Sequence, residues 1–421
     1  MRIASGTLPS GFGRLWTAQT VSSFGDGVMV AALPLLALTL TRDPMALAVV
    51  TAAGTLPWLF FGVLGGALVD RWDRRRTMWV ADVSRALLLA VPAAAAALDM
   101  LSVPMLAVVA FLLGVGGLFF DTAATAYLPE LLGREPALLE RANSRLRAAQ
   151  TATSGFAGPP AGSALLALGR SVPLLADAVS FAVSALLVRS LPSMPRPAAP
   201  ARESLLRQAR DGASYVFRDR LLLGLALRPA VGNVAFLAVE TVLALFAHER
   251  LGVGAFGFGL LLTAEATGGL IGAAVASILS RRLGTGTALT CTAAVEGLAI
   301  LALAAAPNAY VAGFALAVCG AGMGATMVIG PSLRQTIVPA HLMGRVASTS
   351  RMLAMCAAPF GAFLGGWLAS GFGVRTPLYA AAGLLLTMTA VTATMTSNRR
   401  VEAALRAVAA NADPAREPVR L

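Results

Sequence analysis

The chain has 421 residues, of which 57% are apolar and only 13% charged, with a mean hydropathy of +0.75. A soluble domain carries about 25% charged residues, so this is a polytopic membrane protein, and long apolar runs with short polar breaks mean helices rather than a barrel. The net charge of +12 comes from 33 arginines and no lysine, which excludes a Gly-x-x-x-x-Gly-Lys phosphate loop and speaks to topology rather than to nucleic acid. His248 and His341 fall in predicted loops, and Cys291, Cys319 and Cys356 lie in apolar stretches without a CxxC. A metal site or a Ser-His-Asp arrangement therefore has little to draw on; no cofactor is expected, and the chain does not read as an enzyme. Residues 1–13 lack the pattern of a cleavable signal.

Twelve apolar segments follow one another, at 15–40, 45–69, 77–98, 101–126, 146–168, 172–191, 221–247, 256–280, 287–306, 309–332, 347–370 and 376–396. Each is long enough to cross a hydrocarbon layer of about 30 Å. Connections after even-numbered segments hold most of the arginines: Arg71, Arg74, Arg75 and Arg76, then Arg134 and Arg141, then Arg196 to Arg218, then Arg281 and Arg282, with Arg345 near the last. The positive-inside rule places that side in the cytoplasm, with both termini, in an inner or plasma membrane. Residues 192–220 form the longest polar interruption. Pro192, Pro195, Pro197 and Pro200 open it as a stiff linker, and Glu203 to Phe217 reads as an amphipathic interfacial helix. The expected organisation is an N-terminal six-helix bundle over 1–191, a linker over 192–220, a C-terminal bundle over 221–396 and a tail over 397–421, amphipathic or disordered.

The halves look like repeats. Arg141-Ala142-Asn143-Ser144 precedes Gly158-Pro159 in segment 5, as Arg345-Val346-Ala347-Ser348 precedes Ala358-Pro359 in segment 11. Duplicated halves around a central path are a common build of secondary transporters. Between segments 2 and 3 stands Gly66-x-Leu68-x-Asp70-Arg71-x-x-Arg74-Arg75. This stretch resembles the loop between helices 2 and 3 of the major facilitator superfamily, with Asp73 where the usual form has glycine. The form Asp-Arg-x-Asp-Arg-Arg, with Leu128-Pro129-Glu130-Leu131 and Asp177 to Phe181, is similar to the drug and siderophore exporters, the macrolide-efflux-like and enterobactin-exporter-like branch of drug:proton antiporters.

The resemblance implies an all-α fold of twelve transmembrane helices in two pseudo-symmetric six-helix bundles, alternating access and coupling to an ion gradient, usually protons. It implies that Gly66, Asp70, Arg71, Arg74 and Arg75 form a cytoplasmic gate, the alternative being a role in topology alone. Gly155, Gly158, Pro159 and Gly162 resemble the family's antiporter motif, which goes with export; small-residue packing around a kink is the other reading. One departure stands out: Pro104 to Phe120 has no basic residue, whereas many proton antiporters of the superfamily carry an arginine there.

Charges inside the spans are functional candidates because hydrocarbon tolerates them only beside water or a partner. Asp26 lies midway along segment 1, and Gln19, Ser22 and Ser23 share its helix face. That stripe suits the central cavity and reversible protonation, with a structural partnership as the alternative. Glu240 and Glu265 are the next candidates for proton or cation binding, and Arg228 is a possible counter-charge. Glu296 ranks below them. Asp82 and Arg85 read as a structural pair near the cytoplasmic interface, and Asp121 and Asp177 also read as structural. Trp16, Phe24, Trp58, Phe119, Phe120 and Phe236 suit a wide apolar cavity. Together these point to a monomeric exporter of amphipathic or cationic small molecules, exchanged for protons across the lipid bilayer. The alternatives are a lipid or nutrient carrier of the same fold, or a non-transporting receptor or partner subunit.

Overall fold

The computed structural model describes residues 9–69, 71–133, 135–194 and 205–412, and all regular structure among them is helical. The helices are α1 (Ser10–Leu40), α2 (Pro44–Val69), α3 (Arg74–Ala97), α4 (Val103–Leu131), α5 (Pro136–Gln150), α6 (Gly158–Leu168), α7 (Val172–Arg189), α8 (Leu205–Arg218), α9 (Arg220–Leu251), α10 (Ala255–Leu283), α11 (Thr285–Ala305), α12 (Ala309–Ile337), α13 (Ala340–Phe372), α14 (Thr376–Met395) and α15 (Asn398–Ala412). Among the described residues, 11 helices are long and apolar enough to cross a membrane. The remaining crossing is α5 and α6, joined without a break by a π-helical stretch over Thr151–Ala157.

Local chemistry sets several boundaries. Asp73 caps α3 by accepting the Arg76 N–H at 2.6 Å, which gives a physical reason for aspartate where the family loop has glycine. Asp219 caps α9 through the Leu221 and Leu222 N–H groups, and Asn308 caps α12 through Val311. Gly252 ends α9 in the left-handed conformation, at φ +64°. The π-helical stretch follows from two prolines. Pro159 and Pro160 have no N–H to donate, and just before them the Gly158 N–H reaches back five residues to the Thr153 carbonyl.

Packing repeats between the halves. The pairs α2–α4, α3–α7, α3–α4 and α1–α7 recur as α10–α12, α11–α14, α11–α12 and α9–α14. The cross-half pairs exchange in the same way: α2 with α13, and α10 with α6. This is a pseudo-twofold pair of six-helix bundles, as expected. Apolar side chains such as Leu87, Val91, Val108, Leu186 and Phe314 point outward and form the lipid-facing belt.

Of the tail, residues 398–412 take the helical one of the two forms expected. They form α15, which packs on α11 and α12. Asn398 at its start accepts the Gly286 and Thr287 N–H groups and donates to the Leu283 carbonyl, closing the turn between α10 and α11. The interfacial helix expected over 203–217 is α8, whose Gly212 lies against the Arg345 carbonyl of α13.

Buried apolar residues form two clusters confined to one half each at the arginine-rich end. One includes Phe12, Met78, Tyr127 and Val188, and the other Leu222, Leu289, Ile329 and Val346. A third cluster, at the opposite end, joins the halves through Leu36, Leu47, Val50, Val242, Phe246 and Phe258. The bundle is therefore sealed at that end and parted at the arginine-rich end.

Glycine makes the tightest seams possible. At α10–α12, a Cβ on Gly268 would lie 1.7 Å from the Ala317 carbonyl oxygen, and one on Gly320 would lie 2.0 Å from that of Glu265. Gly383, in α14, has open space at the same point. Gly268→Val is expected to destabilise the protein by about 1–3 kcal/mol or more, and Gly383→Ala to leave it unchanged or slightly firmer. Thermal unfolding in detergent checks this, and equal midpoints for the two variants would refute the seam.

Candidate translocation site

A cavity of about 950 Å³ opens between the halves at the parted, arginine-rich end. Met29, Val30, Leu33, Leu113, Leu118 and Leu237 give it apolar walls, with Trp58 and Phe120 as aromatics. The other aromatics proposed from the sequence, Trp16, Phe24, Phe119 and Phe236, do not line it. Polar lining comes from Gln19, Ser22, Ser23, Asp26, Asp121, Thr241, Arg147, Glu240 and Arg351.

The Gln19–Asp26 stripe does face the cavity. Asp26 keeps 47% of its side chain exposed there while accepting a 2.8 Å hydrogen bond from Arg85 Nη2. The same guanidinium donates through Nη1 to Asp82 at 3.3 Å, and it lies 3.7 Å from the centroid of the Phe181 ring. Asp82 is fully buried, and the Arg85 side chain is 8% exposed. The local pair expected for Asp82 and Arg85 is thus extended to a third partner. Gly116 makes this possible, because a Cβ there would lie 2.7 Å from the Arg85 stem. Asp177 is buried and accepts from the Ser180 hydroxyl. Both sit where α7 meets Gly25, so Asp177 lies at the depth of Asp26 rather than at the outer end of its helix.

The glycines resembling the antiporter motif meet α1 backbone to backbone. A Cβ on Gly158 would lie 2.5 Å from Gly27, and one on Gly162 would lie 2.1 Å from the Val28 carbonyl oxygen. Gly155 faces Ala266 of α10, and Gly259 of α10 lies against Pro159 and Ser163. The π-helical stretch and the motif therefore form one smooth face on which both α1 and α10 rest.

The second-half candidates separate. Glu240 lines the cavity, and no described residue pairs with it or donates a hydrogen bond to it. Glu265 sits at the α10–α12 seam and does not line the cavity, and Arg228 is buried behind the wall beside Thr292. At the loop after α2, Arg74 bonds to Glu130 and to the Ala126 carbonyl of α4. Asp70 lies outside the described residues, and Arg71, Arg75 and Gly66 flank it in sequence.

Three lining residues were not singled out as functional. Asp121 read as structural, and Arg147 and Arg351 were given no role. Arg351 stands over the Trp58 ring at 4.7 Å on the cavity wall, where α13 packs on α2. Its place in the first turns of segment 11 is the one signal that sequence offered.

A family described as transmembrane secretion effector matches residues 9–418. The chain belongs to that family, within the major facilitator superfamily. It is 30% identical over 376 residues to the multidrug efflux pump Tap of Mycolicibacterium fortuitum, covering 87% of this chain and 90% of that one. It is 22% identical over 371 residues to macrolide efflux protein A of Streptococcus pyogenes, covering 86% and 90%. A bacterial homologue of the iron transporter ferroportin, solved in an inward-facing state, superposes with a TM-score of 0.75 at 17% identity over 93% of this chain and all of that one. As a member of this superfamily the chain is a multi-pass membrane transporter of small molecules, not an enzyme.

Removing the guanidinium of this transporter's three-way ion cluster would strand a fully buried carboxylate. Arg85→Ala is expected to cost about 3–5 kcal/mol of stability. Asp26→Asn is expected to cost much less, because Asp26 is half exposed and Arg85 keeps Asp82. Melting of purified protein in detergent reads both, and an Arg85→Ala protein as stable as the wild type would contradict the cluster.

Proposed function

We propose that this transporter exports amphipathic, cationic small molecules in exchange for protons, by alternating access between its two halves. The observation that carries the reading is Glu240, an acid on the wall of a largely apolar cavity with no partner of its own. A carboxylate held in a low-dielectric wall attracts a cation far more strongly than one in water, while apolar walls bind amphipathic bodies and discriminate weakly among them. The names of the relatives, a multidrug efflux pump and a macrolide efflux protein, agree with export of drug-like molecules.

In this reading Asp26 is the exchangeable acid of the first half. It is open to the cavity and tied to Arg85, so taking up a proton loosens its hold on the guanidinium. The arginine-rich mouth faces the cytoplasm, both termini lie there, and the membrane is the inner or plasma membrane. Residues 1–191 and 221–396 move as bundles about the linker 192–220, with the protein working as a monomer. The glycine face of α6 and the π-helical stretch is the surface on which α1 and α10 slide. Asp70, Arg71, Arg74 and Arg75 close the mouth in the opposite state.

Cells expressing the chain are expected to accumulate less of a cationic dye than control cells, and a protonophore is expected to erase the difference. Glu240→Gln should raise accumulation of cationic dyes, weakening their handling about tenfold, the size of one charge-assisted contact of about 1.5 kcal/mol. Uncharged amphipathic dyes should be affected less. Unchanged accumulation across a panel of cations and macrolides would overturn the export reading, and persistence with a collapsed proton gradient would overturn the coupling.

A further inference from the structure

The second half contains a buried ion site that mirrors the first with its signs reversed. In the first half, Arg85 of α3 lays its stem on Gly116 of α4 and reaches an acid of α1. In the second half, Glu296 of α11 lays its stem on Gly322 of α12, where an added Cβ would again lie 2.7 Å away, and it faces a base of α9, Arg228. The two glycines and the two charged residues occupy corresponding places in α4 and α12 and in α3 and α11.

The two sites differ in one respect. Arg85 grips Asp26 directly, whereas Arg228 and Glu296 make no direct ion-pair contact. A pair of hydroxyls joins them instead. Arg228 Nη2 donates to Thr292 Oγ1 at 3.4 Å. The Thr326 hydroxyl lies 2.9 Å from Thr292 Oγ1 and 3.0 Å from Glu296 Oε1. Thr292 spends its own proton on the Leu289 carbonyl at 3.0 Å. Arg228 is 7% exposed, and its Nε and Nη1 groups are buried without a partner.

That set of donors admits two arrangements. With Glu296 protonated, its O–H donates to Thr326, and Thr326 donates onward to Thr292. With Glu296 ionised, Thr326 turns its proton to the carboxylate, and the unspent N–H groups of Arg228 face an anion they can pair with. A buried guanidinium with free donors is costly, so loss of the proton pulls α9 and α11 together and uptake releases them.

We propose that Glu296 is a protonation switch of the second half, read by Arg228 through Thr292 and Thr326. The other titratable groups around it are Cys319 of α12, which lies in the field of both Glu296 and Glu265, and Glu265 of α10 itself; α14 presents Leu386 to the neighbouring Gly297. The proton taken up or released is exchanged with water, and its use in driving transport rests on the proton-exchange reading above.

The test is a pH titration of conformation that needs no substrate. Spin labels at Ser144 and Ser348, one on each half at the arginine-rich end, report the mouth in lipid nanodiscs by double electron–electron resonance. The native cysteines are replaced by serine. A single coupled carboxyl changes the ratio of two states by at most about tenfold per pH unit. The wild type is expected to shift between two distance populations with pH. Glu296→Gln should lower that dependence by the share of one proton, and Glu296→Asp should keep it with a displaced midpoint. A wild type that does not respond, a Glu296→Gln protein that titrates as the wild type does, or an unmoved Glu296→Asp midpoint would each overturn the switch. If the switch titrates as expected but no dye is exported, the export reading fails and the switch stands. If dye is exported while Glu296→Gln keeps the full shift, the reverse holds.

Discussion

Helices in lipid are not driven together by the hydrophobic effect, since the acyl chains are as apolar as the side chains they would replace. The bundle must therefore be held by backbone packed on backbone and by a few buried charges. Both devices are visible, and they occur together. Gly268, Gly320 and their neighbours bring α10 and α12 to a separation at which no Cβ fits, and Gly158 and Gly162 do the same for α6 and α1. Gly116 and Gly322 use the same absence of a side chain for another purpose, making room for a charged stem inside the bundle. A glycine-rich composition, which would weaken a soluble helix, is here the condition for assembly.

Where the two devices meet, the halves diverge. Duplication gave each half a charged residue on its third helix, bedded on a glycine of the fourth. The first half filled that place with a base that grips two carboxylates directly, with Asp82 buried against it and Asp26 left open to the cavity, while Arg85 Nε and Asp82 Oδ2 stay buried without a partner. The second half filled it with an acid and left its base underused. The first half thus joins its helices by a direct ion pair, and the second relays base to acid through Thr292 and Thr326.

The helical, polytopic character and the loop motif were legible because they rest on runs and spacings. Twenty apolar residues span a membrane whatever their neighbours, and arginine stays out of hydrocarbon wherever it occurs. The cavity-facing stripe from Gln19 to Asp26 was legible for the same reason, being periodicity on one helix. The rest depends on partners that only the fold brings together. Arg85 looked local because Asp82 is three residues away, and nothing in the chain announces that Gly116 clears its path to Asp26. Glu296 ranked below Glu240 and Glu265 because its segment is peripheral in the family that the sequence resembles, and its hydrogen-bond partner Thr326 lies on another helix. The π-helical stretch is a further case. Pro159 and Pro160 signal a kink, but that the backbone relieves it by widening a turn rather than by bending shows only in the fold. Asn398 shows the same limit at the tail, where a residue read as part of a loose end closes a turn more than a hundred residues earlier.

The two ends of the bundle also close by different chemistry, and that asymmetry shapes the transport cycle. The sealed end is held by an apolar cluster in which α1 and α2 meet α9 and α10. Water entering there meets Leu36, Val50, Val242 and Phe246, so opening it costs hydration of apolar surface at about 25 cal/mol per Å² and responds little to salt. Among the described residues the arginine-rich end holds no such cluster between the halves, because its two apolar cores each lie within one half. Closure there must be made by charged and polar groups, whose attraction is weakened by salt and set by which of them carry protons. Opening one end while closing the other thus exchanges a fixed apolar contribution for an adjustable electrostatic one. Only the adjustable side can be tuned by a proton or by a charged ligand, since the apolar seal holds no carboxylate or guanidinium among its described residues, Cys319 being the one titratable side chain packed against it.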